Sequence, residues 1–316
     1  MIDYTILHQF SPEASSVPLF SQPGFFFNEI EHLRQQQNGA FHLLTVLNQQ
    51  TQQAEARCAF FVSDQVAMSP GAAPFGSVEF SNTLPDDLIE EFIGCIQDTA
   101  RTNGARALRL INYPHCYAPT QAEQLSRILA KHEFALLENH QNFFLPVTET
   151  AFESKLVASE RRRLRKCREA HFRFTQGSLP DVKEVAAFLQ DTRHKQGYRL
   201  TLGTDHLITL LQNFPHQFPV FTIRHREKLI ALMVAVRVRH DVLYSFLPAS
   251  HPDYRTFSPM VLLLDCVFTY CQQQGIRVLD LGVSLDADRQ PKPSLIRFKQ
   301  NLGAQSSPKL TFEKKL

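Results

Sequence analysis

Glu160-Arg161-Arg162-Arg163-Leu164-Arg165-Lys166-Cys167-Arg168 places six cations within nine residues. On a helix, Arg161, Arg165 and Arg168 fall on one side at i, i+4, i+7 spacing, while Arg162 and Lys166 share a neighbouring side. Three uses stay open. The run serves as a solvated face, docks onto an acidic partner surface within the chain, or contacts an anionic substrate such as a nucleotide-linked precursor or a tRNA backbone. No aromatic residue interleaves with these cations, which argues against base stacking. A second candidate is Asp280 in Val278-Leu279-Asp280-Leu281-Gly282-Val283, an apolar run that reads as a buried strand. An unpaired carboxylate there is costly, so Asp280 needs a partner, structural or catalytic. Asp280 and Ser284 lie toward the end of this strand, where parallel sheets tend to bind ligands, which makes Ser284 a candidate substrate contact.

Other chemistries find no support. The 13 histidines form no HxxxH or HxH constellation with nearby acids, so no metal site is expected. There is no G-x-S-x-G, Walker or Rossmann fingerprint. The 6 cysteines lack CxxC spacing and mostly sit in apolar runs, as reduced, buried thiols do.

The charge is divided unevenly. Residues 1–148 carry 7 Lys+Arg against 15 Asp+Glu, and residues 149–316 carry 26 against 16. An anionic ligand therefore prefers the C-terminal half. At 316 residues the chain favours two domains, expected at 1–148 and 149–316. No apolar run approaches the roughly 20 residues that span a bilayer, and the N-terminus lacks a signal-peptide pattern. A cytoplasmic location without membrane insertion is the expectation.

The elements that must position these residues follow from patterning. A short helix is expected over 29–37, a hairpin from 41–47 and 56–62, a helix opened by Leu84-Pro85-Asp86-Asp87, and a strand at 107–111. A helix from 120 to about 132 and a closing pair of strands, 134–137 and 143–147, complete the first half. In the second half the spacing predicts one helix over 152–170, a strand at 172–175, helices at 182–195 and 204–213, and a hairpin of 220–224 with 229–239. Val242 to Leu247 then reads as a strand bounded by Pro248. Ser258-Pro259 opens a helix through Met260, Leu263, Leu264, Val267 and Cys271, with Ser258 as its cap and Gly275 as its stop. Two buried strands joined by that helix make a βαβ unit with parallel strands.

The first half repeats in the second. At an offset of 171 residues, Gly104, Arg106, Leu108 and Leu110 fall on Gly275, Arg277, Leu279 and Leu281, and Phe92 and Ile96 fall on Leu263 and Val267. The matched order of elements makes duplication the better account.

The stretches YRTFSPMVLLLDCVFTYCQQQGIRVLDLGVS (254–284), SLIRFKQNLGAQSSPKLTF (294–312) and PGAAPFGSVEF (70–80) carry a resemblance to the GNAT acyltransferases. Two such domains in tandem resemble the FemAB/FemX-type and BioF2-like enzymes. The resemblance implies an α/β fold of two GNAT-like domains, each a mixed sheet flanked by helices. It implies an N-acyltransferase that moves an acyl group from acyl-CoA to a small-molecule or precursor amine held between the domains. Fem-like transfer from an aminoacyl-tRNA to a cell-wall or lipid precursor is the alternative, and a degenerate pair that binds a ligand without turnover is a third reading.

On this resemblance acyl-CoA binds where the strand ending at Leu247 splays from the strand 278–283. Its pyrophosphate then meets the helix start, helped by Arg255, Thr256, Phe257 and Ser258. The usual Q/R-x-x-G-x-G/A loop is missing, because Ala249 to Ser258 contains no glycine. An ordinary strand-to-helix loop is the competing reading. Lys299 corresponds to a lysine pointing into the Fem-type transfer site, suited to an oxyanion, against an ordinary surface-helix lysine. Tyr198 and Arg199 border the acceptor pocket. Tyr244 is a candidate general acid for the departing thiolate, as is Tyr254; the competing reading is a packed, hydrogen-bonded phenol. Arg161 and Arg165 are candidate substrate contacts.

Overall fold

A computed structural model describes residues 3–36, 40–177, 181–195, 202–286 and 288–316. The chain forms two compact units, Met1–Gln141 with Ser307–Leu316, and Asn142–Ser306. The sequence places the division near 148–149 and assigns the C-terminus to the second half; here the last ten residues fold with the first unit.

The first unit runs β1 (Tyr4–Phe10), α1 (Ile30–Leu33), β2 (His42–Asn48), β3 (Gln53–Ser63), β4 (Val66–Ser69), β5 (Glu79–Phe80), α2 (Asp86–Thr102), β6 (Ala107–Ile111), α3 (Pro119–Lys131) and the start of β7 (Ala135–Pro146). The expected helix at 29–37 shrinks to one turn. The expected closing pair of strands is one strand, because Glu138 to Gln141 continue the extended backbone despite their polar side chains. Strands β1, β2 and β3 pair antiparallel, and β4 lies parallel to β6 from Val66↔Ala107 to Ser69↔Leu110. Beyond Ser69 the buried rings of Phe25, Phe75, Tyr113 and Tyr117 fill the interior, with Phe25 and Tyr113 centroids 4.7 Å apart.

The second unit continues with α4 (Phe152–Lys155), α5 (Ala158–Glu169), β8 (Arg173–Gly177), α6 (Val182–Lys195), α7 (Thr204–Asn213), β9 (Val220–His225), β10 (Lys228–Arg239), β11 (Val242–Ser250), α8 (Pro259–Gln273), β12 (Val278–Val283) and α9 (Pro293–Asn301). Strand β13 (Gln305–Lys315) returns to the first unit, where Thr311 pairs with Ile111. The helix expected over 152–170 is two helices, because Leu156 and Val157 are extended and the Val157 amide donates to Asn301 O at 3.0 Å.

The sheet of this unit orders β8-β9-β10-β11-β12 and then the end of β7, all antiparallel except β11 with β12. A core of Leu164, Cys167, Met233, Leu243, Val261, Leu263, Leu264, Val267, Phe268 and Leu279 packs α5 and α8 onto one face. At roughly 25 cal/mol per Å² of buried apolar surface, this face fixes α8 against the sheet. Gly275 ends α8 with φ 66°, a conformation glycine adopts without a Cβ penalty.

The repeat is visible in both units. The offset carries β6 onto β12 and the end of α2 onto the end of α8, and each unit places its βαβ strands parallel.

Candidate active site

Strands β11 and β12 pair only at Val242↔Val278, Leu243↔Leu279 and Tyr244↔Asp280. Past Tyr244 they separate, while β11 stays on β10 as far as Ala231↔Ser250. Strand β11 therefore runs through Pro248 rather than stopping there. Having lost β12, this part of the strand is an edge, and an edge tolerates a residue without an N–H.

The separation opens a cavity of about 980 Å³. Every β11 residue from Tyr244 to Ser250 lines it. Successive strand side chains point to opposite faces, so an unbroken lining run means that the cavity reaches both faces of the sheet. Helices α8 and α9 contribute Met260, Leu264 and Phe298, Leu302 lines it from just past α9, and α6 contributes Arg193. The walls are mainly apolar, and the charged lining is Arg193, Arg289, Lys292 and Lys299 against Asp286. Asp286 is committed to its own loop, where Oδ1 accepts from the amides of Asp288 and Gln290, each at 2.9 Å.

Asp280 has its partners. Buried at the splay, its Oδ1 accepts from Asn142 Nδ2 and from the Gly282 amide, both at 2.7 Å. The pairing of β12 with β7 shifts register between Asp280 and Gly282, which lets the carboxylate reach its own strand's amide. Gly282 has φ 72°, and a Cβ there would stand 3.1 Å from Tyr244 Cε2. Gly282→Ala is therefore expected to cost about 1–3 kcal/mol, from left-handed backbone and crowding together. A lowered denaturant midpoint at unchanged slope would register this.

Tyr244 lines the cavity, and burial together with the Asp280 charge pushes its phenol well above the ordinary value. Lys299 is not a surface lysine. It is buried, and its Nζ donates to Gly282 O at 2.8 Å and Val283 O at 2.9 Å, tying α9 to the end of β12. Burial lowers its pKa to about 8, partly opposed by Asp280. Tyr244, Asp280 and Lys299, far apart in sequence, thus meet at one splay.

The other predicted residues are placed differently. Ser258 precedes α8, but its φ of 57° is left-handed and its hydroxyl makes no capping bond, so the expected side-chain cap is absent. Arg255 and Thr256 are exposed, and none of 255–258 lines the cavity. Ser284 is buried, outside the lining, with its hydroxyl lacking a hydrogen-bond partner among the described residues. Arg161 and Arg165 lie on the exposed side of α5, away from the cavity lining. Tyr198 and Arg199 lie outside the described residues. Tyr254 donates to or accepts from His225 Nδ1 at 3.0 Å in an aromatic cluster outside the cavity lining. Sequence reasoning missed Arg193, Arg289 and Lys292, which follow no motif and are gathered only by the fold.

Residues 154–292, which include α5, the splay and α8, match the acetyltransferase (GNAT) domain family. That stretch is an acetyltransferase (GNAT) domain. Among solved structures, that of FemX is similar over 99% of this chain and 97% of that one, at 11% identity and a TM-score of 0.72. A tandem GNAT protein from the clavulanic acid biosynthesis pathway covers 99% and 98%, at 10% identity and a TM-score of 0.59. The C-terminal domain of a putative lysylphosphatidylglycerol synthetase from Agrobacterium fabrum covers 83% and 82%, at 15% identity and a TM-score of 0.58. At these identities the likeness is one of fold. No curated protein matches the chain in sequence. The matched residues thus lie in the second unit, and the fold of the whole chain is shared with FemX and the tandem GNAT protein. Among the described residues no helix is long and apolar enough to cross a membrane.

Proposed function

We propose that the second unit transfers an acyl group from acyl-CoA to an amine acceptor. The observation that supports this reading most is the two-faced cavity at the β11–β12 splay. A passage through the sheet lets a donor enter from one face and an acceptor from the other, which aligns the reacting groups without further machinery. The apolar walls suit an acyl chain with its pantetheine arm, and the unpaired edge of β11 past Tyr244 offers backbone groups to amides of that arm. Arg193, Arg289 and Lys292 suit anionic ligand groups. A bound acyl-CoA supplies an activated thioester.

The chain's own residues then have limited tasks. Tyr244 holds its proton at Oη well into alkaline pH and serves as the donor to a departing thiolate. Asp280 fixes the bulge that places Gly282 beside the Tyr244 ring. Lys299 holds the end of β12 through two carbonyls and brings positive charge toward the site where negative charge develops.

Isothermal titration with CoA and acyl-CoAs of increasing chain length tests the donor. Binding at one site per chain is expected, and Ala249→Trp, which drives an indole into the cavity, should abolish it without lowering the thermal midpoint. Retention of full affinity in that variant would place the donor elsewhere. The FemX likeness favours a second reading, transfer from an aminoacyl-tRNA. On that reading CoA does not bind, tRNA does, and its affinity falls steeply with salt.

A further inference from the structure

The cavity at the splay carries a charge pattern that transfer to a plain amine leaves unexplained. Arg193 of α6, Arg289 and Lys292 of the turn after β12, and Lys299 of α9 all line it, and among the described residues Asp286 is the only acid in the lining. Separate elements thus bring four cations to one cavity whose walls are otherwise mainly apolar. An ammonium group entering this field is repelled, and its pKa falls toward the uncharged form. An acid group is attracted.

Two of the cations are set by the turn. Leu285 and Pro291 pair antiparallel across it, the Asp286 amide donates to Gln290 O at 2.8 Å, and the Lys292 amide donates to Ser284 O at 2.8 Å. Asp286 Oδ1 braces the turn from inside by accepting from the Asp288 and Gln290 amides. Arg289 sits within it at φ 61°, left-handed backbone that glycine adopts at less cost. On the α6 side, Arg193 Nη2 donates to Pro248 O at 3.4 Å, on the part of β11 that has lost β12.

We propose that the acceptor is an amine bearing its own acid group, a carboxylate or a phosphate, which Arg193, Arg289 and Lys292 hold within the cavity; the inference rests on the acyl-transfer reading and names its acceptor class. The acid group anchors the molecule. The same cations disfavour protonation of its nitrogen and leave the uncharged form that attacks a thioester. In that attack the N–C bond forms as the C–S bond breaks, the nitrogen's proton goes to solvent, and the departing thiolate takes the Tyr244 proton. Asp286 is a positioning residue, holding the turn that presents Arg289 and Lys292.

Calorimetric titration of the full chain with 6-aminohexanoate, 6-aminohexyl phosphate and the neutral-ended 6-aminohexanamide tests this, first without CoA and then with the protein saturated with CoA. At least one of the two acids should bind about tenfold tighter than the amide in both states, the worth of one charge-assisted contact, and the tighter one identifies the group. Arg289→Met combined with Lys292→Met should bring acids and amide within about twofold of each other. Methionine keeps the Cβ at 289, so the backbone cost there is unchanged. Asp286→Ala should weaken the preference with every cation in place, and Asp286→Asn, which keeps Oδ1, should restore it. Wild type that binds neither acid more tightly than the amide, or a preference untouched in the double variant, overturns the inference. A preference that CoA saturation abolishes also overturns it and gives the cations to the donor's phosphates. CoA that does not bind overturns the donor reading instead, and the preference measured without CoA then decides the acceptor class.

Discussion

Tyr244→Phe is expected to lower kcat by about 10²-fold while leaving the dissociation constant for CoA within about twofold, because proton donation to a leaving group contributes roughly 10²–10⁴. The phenol is positioned by β11 at the last residue pair before the strands part. Burial and the neighbouring Asp280 hold its proton more tightly than in water, so the deprotonated form is absent through neutral and alkaline pH. The ratio of wild-type to variant kcat should consequently stay flat from pH 6 to about pH 10, in contrast to a group that titrates within that range. Phenylalanine keeps the ring beside Gly282, so packing is preserved and the loss reports the hydroxyl. A kcat within about threefold of wild type would remove Tyr244 from the chemistry.

Lys299→Met separates activity from stability. Two carbonyls, those of Gly282 and Val283, lose a donor, at a cost of about 1–3 kcal/mol each. Against this, a lysine whose pKa falls from 10.5 to about 8 holds a buried charge that costs about 3 kcal/mol at neutral pH. The terms nearly offset, and the variant should unfold within about 2 kcal/mol of wild type at pH 7.

The sign then reverses the comparison at high pH. Below about 8 the lysine is charged in both folded and unfolded chains, and the burial cost is carried in full. As pH rises through 8 toward 10.5, the folded state releases its proton first and the cost disappears. Wild type should gain about 3 kcal/mol on Lys299→Met across this window, measured by paired denaturant titrations. Activity should move the other way. With the ammonium present kcat exceeds that of the variant by about 10²-fold, as for loss of one oxyanion donor, and the ratio shrinks as pH passes 8. Taking the ratio cancels the acceptor's own titration. A ratio independent of pH would leave Lys299 a structural tie alone.

These residues show what patterning reveals. The βαβ unit was legible because α8 repeats apolar residues at helical spacing and its flanking strands are continuous apolar runs. Asp280 announced itself as a charge inside such a run, and the structure supplies Asn142 and the Gly282 amide as its partners. Strand β7 hid its middle because an exposed strand satisfies its backbone whatever its side chains. The break between α4 and α5 was hidden for a related reason. Leu156 is apolar and buried even with an extended backbone, and the amide of Val157 that decides the matter finds its acceptor 144 residues later, at Asn301. The rest of the cationic lining escaped, since Arg193, Arg289 and Lys292 share a cavity with Lys299 without sharing a period.

The return of β13 bears on how the chain is made. Arg109 of β6 is held by Glu313, 204 residues away, and Thr311 pairs with Ile111. During synthesis β6 waits for this partner until the residues of the second unit have emerged. The first unit is thus completed only after the second has emerged, and its unpaired strand edge is the surface that a nascent chain must shield in the interval.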